Sequence, residues 1–106
     1  MSMFAQIIKM RIKAGSGAEL ERAMGEIHNL EKPGSGLIRS PTMRDRENPN
    51  VYVTAVIFGS EAKAREREAD PARQQAIGEI QQKLAALADG PPEFMNLDVV
   101  DDFIGS

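Results

Sequence analysis

The order in which the hydrophobic period changes along the chain limits the folds open to it more than any other feature. From Phe4 to Lys13 side chains alternate: Phe4, Gln6, Ile8, Met10 and Ile12 fall on one side, Ala5, Ile7, Lys9, Arg11 and Lys13 on the other. Period two is the signature of a strand. Leu20, Ala23, Met24, Ile27 and Leu30 then recur at steps of three and four, the stripe of an amphipathic helix. Gly36 to Arg44 reads as a second strand, and Val51 to Phe58, β-branched and apolar at nearly every position, as a third. Ala76, Ile77, Ile80, Leu84, Leu87 and Ala88 make another helical stripe, and alternation returns over Met95 to Val99 in a strand expected to end near Phe103.

Turn and capping residues punctuate this pattern. Ser16 with Glu19 three residues later has the form of a capping box, so the first helix is predicted to start near Gly17. Pro33-Gly34 ends it. Pro41 cannot donate to a ladder and places the second strand at an edge or a bulge. Asp45 to Asn50 is hairpin-turn chemistry. Ser60 is a cap for a short helix to about Ala69, and Asp70-Pro71 restarts it. Gly90-Pro91-Pro92 is a firm stop, and Ile104 to Ser106 reads as a tail.

Strand, helix, strand, strand, helix, strand is two βαβ crossovers joined by a hairpin. It predicts an α+β, ferredoxin-like βαββαβ fold: a four-stranded antiparallel sheet with both helices on one face. The 106 residues are one domain's worth, with a core from about 4 to 103. The other face has no cover from this chain. Val51, Val53, Ala55, Ile57, Ala5 and Ile7 point that way, with Leu97 and Val99 beside them. An uncovered apolar face of that extent calls for a partner, and a second copy is the simplest one. The expectation is a homodimer packed sheet to sheet.

Composition excludes several classes. The formal charge is −3, the pI about 5.1, and acids and bases interleave as in Lys63-Ala64-Arg65-Glu66-Arg67-Glu68. A nucleic-acid binder would carry a basic stripe, so neither nucleic acid nor an anionic membrane is expected. No apolar run nears the roughly 20 residues that span a bilayer, and Met1 to Phe4 does not open like a signal peptide. The lack of cysteine removes disulfides and thiolate chemistry and suits a cytoplasmic protein.

Little in the sequence is self-sufficient chemistry. His28 is the one histidine and reads as a surface or boundary residue; no metal set surrounds it. Gly15-Ser16-Gly17 and Gly34-Ser35-Gly36 complete no phosphate-loop signature. Lys9, Arg11 and Lys13, with Arg39, form either an anion strip or ion pairs to Asp98, Asp101 and Asp102. Glu66, Glu68 and Asp70 read as a solvated helix face. Tyr52, Thr54, Val56 and Phe58 share the helix side of the third strand with Ile8 and Met10, facing Met24 and Ile27 of the first helix. These residues are either ordinary core or the lining of an apolar pocket whose polar handles are Tyr52 and Thr54.

The segment Ile12 to Glu21 resembles the strand–PxG–helix opening of the antibiotic-biosynthesis-monooxygenase domain. Pro33-Gly34, Asn48-Pro49-Asn50-Val51-Tyr52 and Phe58-Gly59-Ser60-Glu61-Ala62 are similar to later segments of that family. The resemblance implies a dimeric barrel from about Phe4 to Phe103. The family's haem-degrading branch relies on an asparagine, a tryptophan and a histidine where this chain has Ile8, Phe58 and Arg67, so haem degradation is not expected. Its cofactor-free branch uses an asparagine–tryptophan pair where this chain has Thr54 and Phe58. Cofactor-free oxygenation draws its reactivity from a substrate carbanion and needs few protein groups. The resulting expectation is a monooxygenase-like protein with no cofactor, acting on a small apolar or aromatic molecule. Tyr52 and Thr54 would orient it, and Ile8, Met10, Met24, Val56 and Phe58 would shape the pocket. The alternative is a non-enzymatic homodimer that binds a small ligand or serves as an accessory subunit.

Overall fold

The computed structural model describes residues 2–105. Its elements are β1 (Phe4–Arg11), α1 (Gly17–His28), β2 (Leu37–Arg39), β3 (Thr42–Arg44), β4 (Val51–Phe58), α2 (Glu61–Ala69), α3 (Pro71–Leu87) and β5 (Glu93–Asp98). The fold is α+β and ferredoxin-like, as the period pattern predicts. The sheet is antiparallel in the order β2-β4-β1-β5, with β3 also paired to β4.

The predicted second strand is split. Ser40-Pro41 interrupts it, β2 pairs with β4 through a register shift at Leu37/Arg39, and β3 resumes with Thr42 opposite Thr54. Pro41 lacks an N–H but keeps its carbonyl, which accepts from the Ala55 N–H at 3.0 Å. Pro41 therefore sits at an edge, while the register shift lies before it, between Leu37 and Arg39.

Three local expectations fail for stated reasons. Ser16 does not close a capping box: its backbone (φ −94°, ψ 5°) is not extended, and its side chain makes no cap bond. The last strand ends at Asp98, well before Phe103, because its ladder partner β1 begins at Phe4, which lies opposite Asp98. One further bond, Val99 N–H to the Met3 carbonyl at 3.0 Å, closes the edge. Beyond it Val100, Phe103 and Ile104 are almost fully exposed. The basic side of β1 makes no ion pair with Asp98, Asp101 or Asp102, since the antiparallel register puts Glu93 opposite Lys9, with 4.0 Å between their charged atoms. The other caps form as read: Ser60 Oγ accepts from Lys63 N–H at 3.2 Å, and Asp70 Oδ1 from Ala72 N–H at 3.0 Å with Pro71 opening α3.

The core is in two pieces. Phe4, Val56, Phe58 and Ala64 pack at one end, with Ile8 and Leu37 against them. Ile12, Leu20 and Tyr52 pack at the other, with Met10, Met24, Leu84 and Leu87. The small side chain of Ala64 lets α2 sit directly on the sheet, whereas α1 and α3 lean mainly on one another. The α3 stripe is accordingly less buried than its spacing implies: Ile80 is buried, Ile77, Leu84, Leu87 and Ala88 are half-buried, and Ala76 is exposed.

The turn into β2 depends on Gly36. Its φ is +84°, a Cβ there would stand 2.5 Å from Lys63 Cβ, and its carbonyl accepts from Gly59 N–H at 2.9 Å. The left-handed backbone alone costs an L-residue about 1–2 kcal/mol, and the overlap adds to it. Gly36→Ala is expected to lower the thermal midpoint by roughly 5–10 °C, read by circular dichroism, whereas Gly25→Ala, on open α1 surface, should not lower it.

Candidate functional site

Between the two core clusters lies a cavity of about 390 Å³, within the range of small-molecule sites. Gln6, Ile8 and Met10 of β1, Tyr52, Thr54 and Val56 of β4, Thr42 of β3 and Phe94 of β5 form its floor. Leu20, Met24, Ile27 and His28 of α1, with Arg73, Ile77, Gln81 and Leu84 of α3, form its roof. Arg67 of α2, Leu37 and Ser40 complete the wall, which contains no aspartate or glutamate.

Six of the seven residues singled out in the sequence meet at this space: Tyr52, Thr54, Ile8, Met10, Met24 and Val56. Phe58 does not. It is fully buried at the far end of β4, opposite Phe4 and against Ala64. Thr54 is buried, and its hydroxyl pairs with that of Thr42 across the strands at 2.9 Å. One hydroxyl proton makes that bond and the other is free to turn into the cavity. Tyr52 lends its ring to the floor while its hydroxyl lies beside the start of α1, where a Cβ on Gly17 would stand 2.8 Å from it. Gly17 is therefore what gives the Tyr52 tip its room.

His28, Arg67, Arg73, Gln6 and Gln81 also line the cavity, and the sequence reading assigned none of them to it. For four of them a signal was present. Gln6 alternates onto the Ile8 and Met10 side of β1, His28 is four residues after Met24, Arg73 is four before Ile77 and Gln81 four after it, although His28 is an exposed residue at the rim, as its surface reading expects.

Glu31, from the turn after α1, ties the arginines together. It accepts from Arg67 Nη2 at 2.7 Å and from Arg67 Nε at 3.1 and 3.2 Å, a bidentate pair. The Arg67 guanidinium also stands 5.3 Å from the centroid of the Phe58 ring. Burial pushes the Glu31 carboxyl up, but the Arg67 hydrogen bonds and the charges of Arg67 and Arg73 outweigh it and hold the group below the ordinary value of 4.5. The arrangement is an apolar chamber with a cationic edge and a hydroxyl pair on its floor. It can receive an aromatic body and hydrogen-bond an oxygen.

The family model described as "Antibiotic biosynthesis monooxygenase" matches residues 3–79. No curated protein sequence matches. Among solved structures, the chain is similar to SnoaB from Streptomyces nogalater, described as a cofactor-independent oxygenase and solved as a point mutant. TM-score is 0.76 at 17% identity, covering 96% of this chain and 97% of that one. A Caulobacter crescentus protein with a provisional antibiotic biosynthesis monooxygenase name gives 0.77 at 16% identity, covering 94% and 92%. One from Chloroflexus aurantiacus, similarly named, gives 0.70 at 22% identity, covering 96% and 97%. At these identities the structures speak for the fold.

The Glu31 ion pair has a pH signature. A carboxyl whose folded pKa lies below its unfolded one stabilises the fold above the unfolded value, and loses that contribution as pH falls through the folded value. From about pH 5 to about pH 3 the urea midpoint of the wild type should therefore fall more steeply than that of Glu31→Gln, which should be the less stable of the two at neutral pH. Equal slopes would show that Glu31 does not hold this pairing.

Proposed function

The chain belongs to the antibiotic biosynthesis monooxygenase family, and from that premise we propose that it oxygenates a small, electron-rich aromatic molecule enclosed between sheet and helices. The observation that carries this is the cavity of about 390 Å³, its wall mainly apolar with hydroxyl and cationic groups set into it. Ile8, Met10, Met24 and Val56 shape the bound ring system. The Thr54–Thr42 pair offers a hydroxyl proton to a substrate oxygen, and the Tyr52 ring closes the end. Phe58 supports the wall from behind, beneath Arg67.

The chemistry asks little of the protein. A methylene flanked by aromatic rings and conjugated with a carbonyl loses a proton to give a carbanion. The carbanion reduces dioxygen to a carbon-bound hydroperoxide, which loses water to leave a new carbonyl. The substrate supplies all four electrons. Histidine is the side chain that exchanges protons most readily near neutral pH, and His28 on the cavity wall is placed to accept the first one. A hydroxyl bond to the substrate carbonyl stabilises the negative charge as it develops.

We further infer that the open face of the sheet is covered by a second copy. Met95 and Leu97 of β5 and Met43 of β3 are exposed there, beside half-buried Ile7, Val53, Ala55 and Ile57. Val100, Phe103 and Ile104, exposed on either side of Asp101 and Asp102, follow the end of β5 and extend the apolar surface open to that copy. Among the described residues no helix is long and apolar enough to cross a membrane.

Two experiments test these assignments. With anthrone as the activated aromatic, oxygen uptake measured by electrode should be saturable in the wild type and at least tenfold slower in His28→Ala and in Met24→Trp, which fills the cavity. Saturable binding with no uptake above the protein-free rate would make the chain a binder and not an oxygenase. In the second, light scattering after size exclusion should give a dimer for the wild type and a folded monomer for Leu97→Lys. A dimer that persists in the variant would move the interface elsewhere.

A further inference from the structure

Arg73 is the least satisfied charged group at the cavity. Its side chain is 11% exposed, and its nearest carboxylate oxygen is Glu31 Oε1 at 3.8 Å, too long for a hydrogen bond. Both Glu31 oxygens are already taken by Arg67. Asp70 is occupied as well: Oδ1 caps α3 through Ala72 N–H, and Oδ2 lies 3.7 Å from Lys32. Two guanidinium groups thus share one carboxylate, and Arg73 makes no side-chain hydrogen bond among the described residues. Burial, then the charge of Arg67, lowers the Arg73 pKa, in keeping with a cation partly withdrawn from water beside a like charge, its nitrogens still reached by solvent.

This surplus charge lies on the wall of the apolar cavity. Arg67, Arg73 and His28 all line it, and no acid does. Arg73 also borders a smaller pocket with Glu31, Glu66 and Asp70, so its guanidinium sits at the cavity's edge, where an uncharged aromatic would displace its water and offer no acceptor. A planar carboxylate fits the guanidinium fork and returns the local charge to balance. We propose that the ligand of this cavity is an aromatic carboxylic acid, its ring system between sheet and helices and its carboxylate on Arg73. This rests on the cavity being the ligand site and names the class of molecule that site selects. Arg73 is then the group that determines specificity, and Arg67, locked to Glu31 and stacked on Phe58, is the fixed neighbour that keeps Glu31 from neutralising it.

The test is a matched pair of probes, 2-naphthoate and 2-naphthamide, of nearly the same shape and differing in charge, titrated by calorimetry at neutral pH into the wild type, Arg73→Gln and Arg73→Lys. The wild type should bind the acid at least about tenfold more tightly than the amide, the size of one charge-assisted pair. Arg73→Gln should lose that preference while keeping its affinity for the amide. Arg73→Lys, which keeps the charge but not the fork, should retain part of it. If the wild type binds both probes equally, or if Arg73→Gln keeps the preference, the carboxylate assignment is overturned and the cavity remains a neutral aromatic site. If neither probe binds the wild type, both the assignment and the cavity as ligand site are overturned. Amide binding by Arg73→Gln shows that the variant is folded. Should that variant fail to fold, Arg73→Lys carries the test: an acid preference equal to the wild type's would overturn a role for the fork.

Discussion

The antiparallel register between β1 and β4 is the constraint on which the rest hangs. It sets Phe4 against Phe58 at one end and Met10 against Tyr52 at the other, with Gln6–Val56 and Ile8–Thr54 between. The end rungs carry the bulkiest side chains, so each collects its own cluster. The middle rungs carry smaller or polar groups and build no cluster of their own: Val56 joins the first one, with Ile8 packed against it. Helix α2 can descend on the first end because Ala64 is small. Helices α1 and α3 meet one another above the second end and bridge the middle. The hollow follows from this distribution of side-chain volume along two paired strands.

The order and kind of elements were legible because period and turn chemistry are local properties. What was not legible depended on where partners end. Alternation over Met95 to Val99, with Phe103 beyond, looks like a long strand, but a strand extends only as far as its neighbour, and β1 begins at Phe4. The same register sends Lys9 to Glu93, away from the acids of the chain's last residues. Ser16 has the right neighbour for a capping box and the wrong backbone angles, which spacing does not report. Phe58 shows a further limit: alternation gives the face of a strand but not the height along it, so a core residue and a wall residue on one side look alike.

The site was read from its apolar members with Tyr52 and Thr54 as polar handles, and its charged members were missed for the same kind of reason. Arg67 and Arg73 belong to a region that looks like an ordinary charged helix surface, and Glu31 to a turn. Their meeting is tertiary: a carboxylate from the turn after α1 reaches the arginines of α2 and α3. In retrospect Arg73 and His28 were marked by falling in step with apolar stripes. A charged residue in register with an inward helical face merits the same scrutiny as a buried one.

The divided core has a consequence for how such a chain can change over generations. In a filled interior, shortening a side chain opens a void and costs stability in proportion to its volume. Around Ile8, Met10, Met24 and Val56 the void exists already, so replacements that alter its shape escape part of that penalty. The two clusters that hold the fold enjoy no such tolerance. Leu20, Tyr52 and Val56 serve both stability and ligand choice, whereas Met10 and Met24 line the void from outside the buried clusters and can drift toward new molecules while Phe4, Phe58 and Ile12 stay as they are.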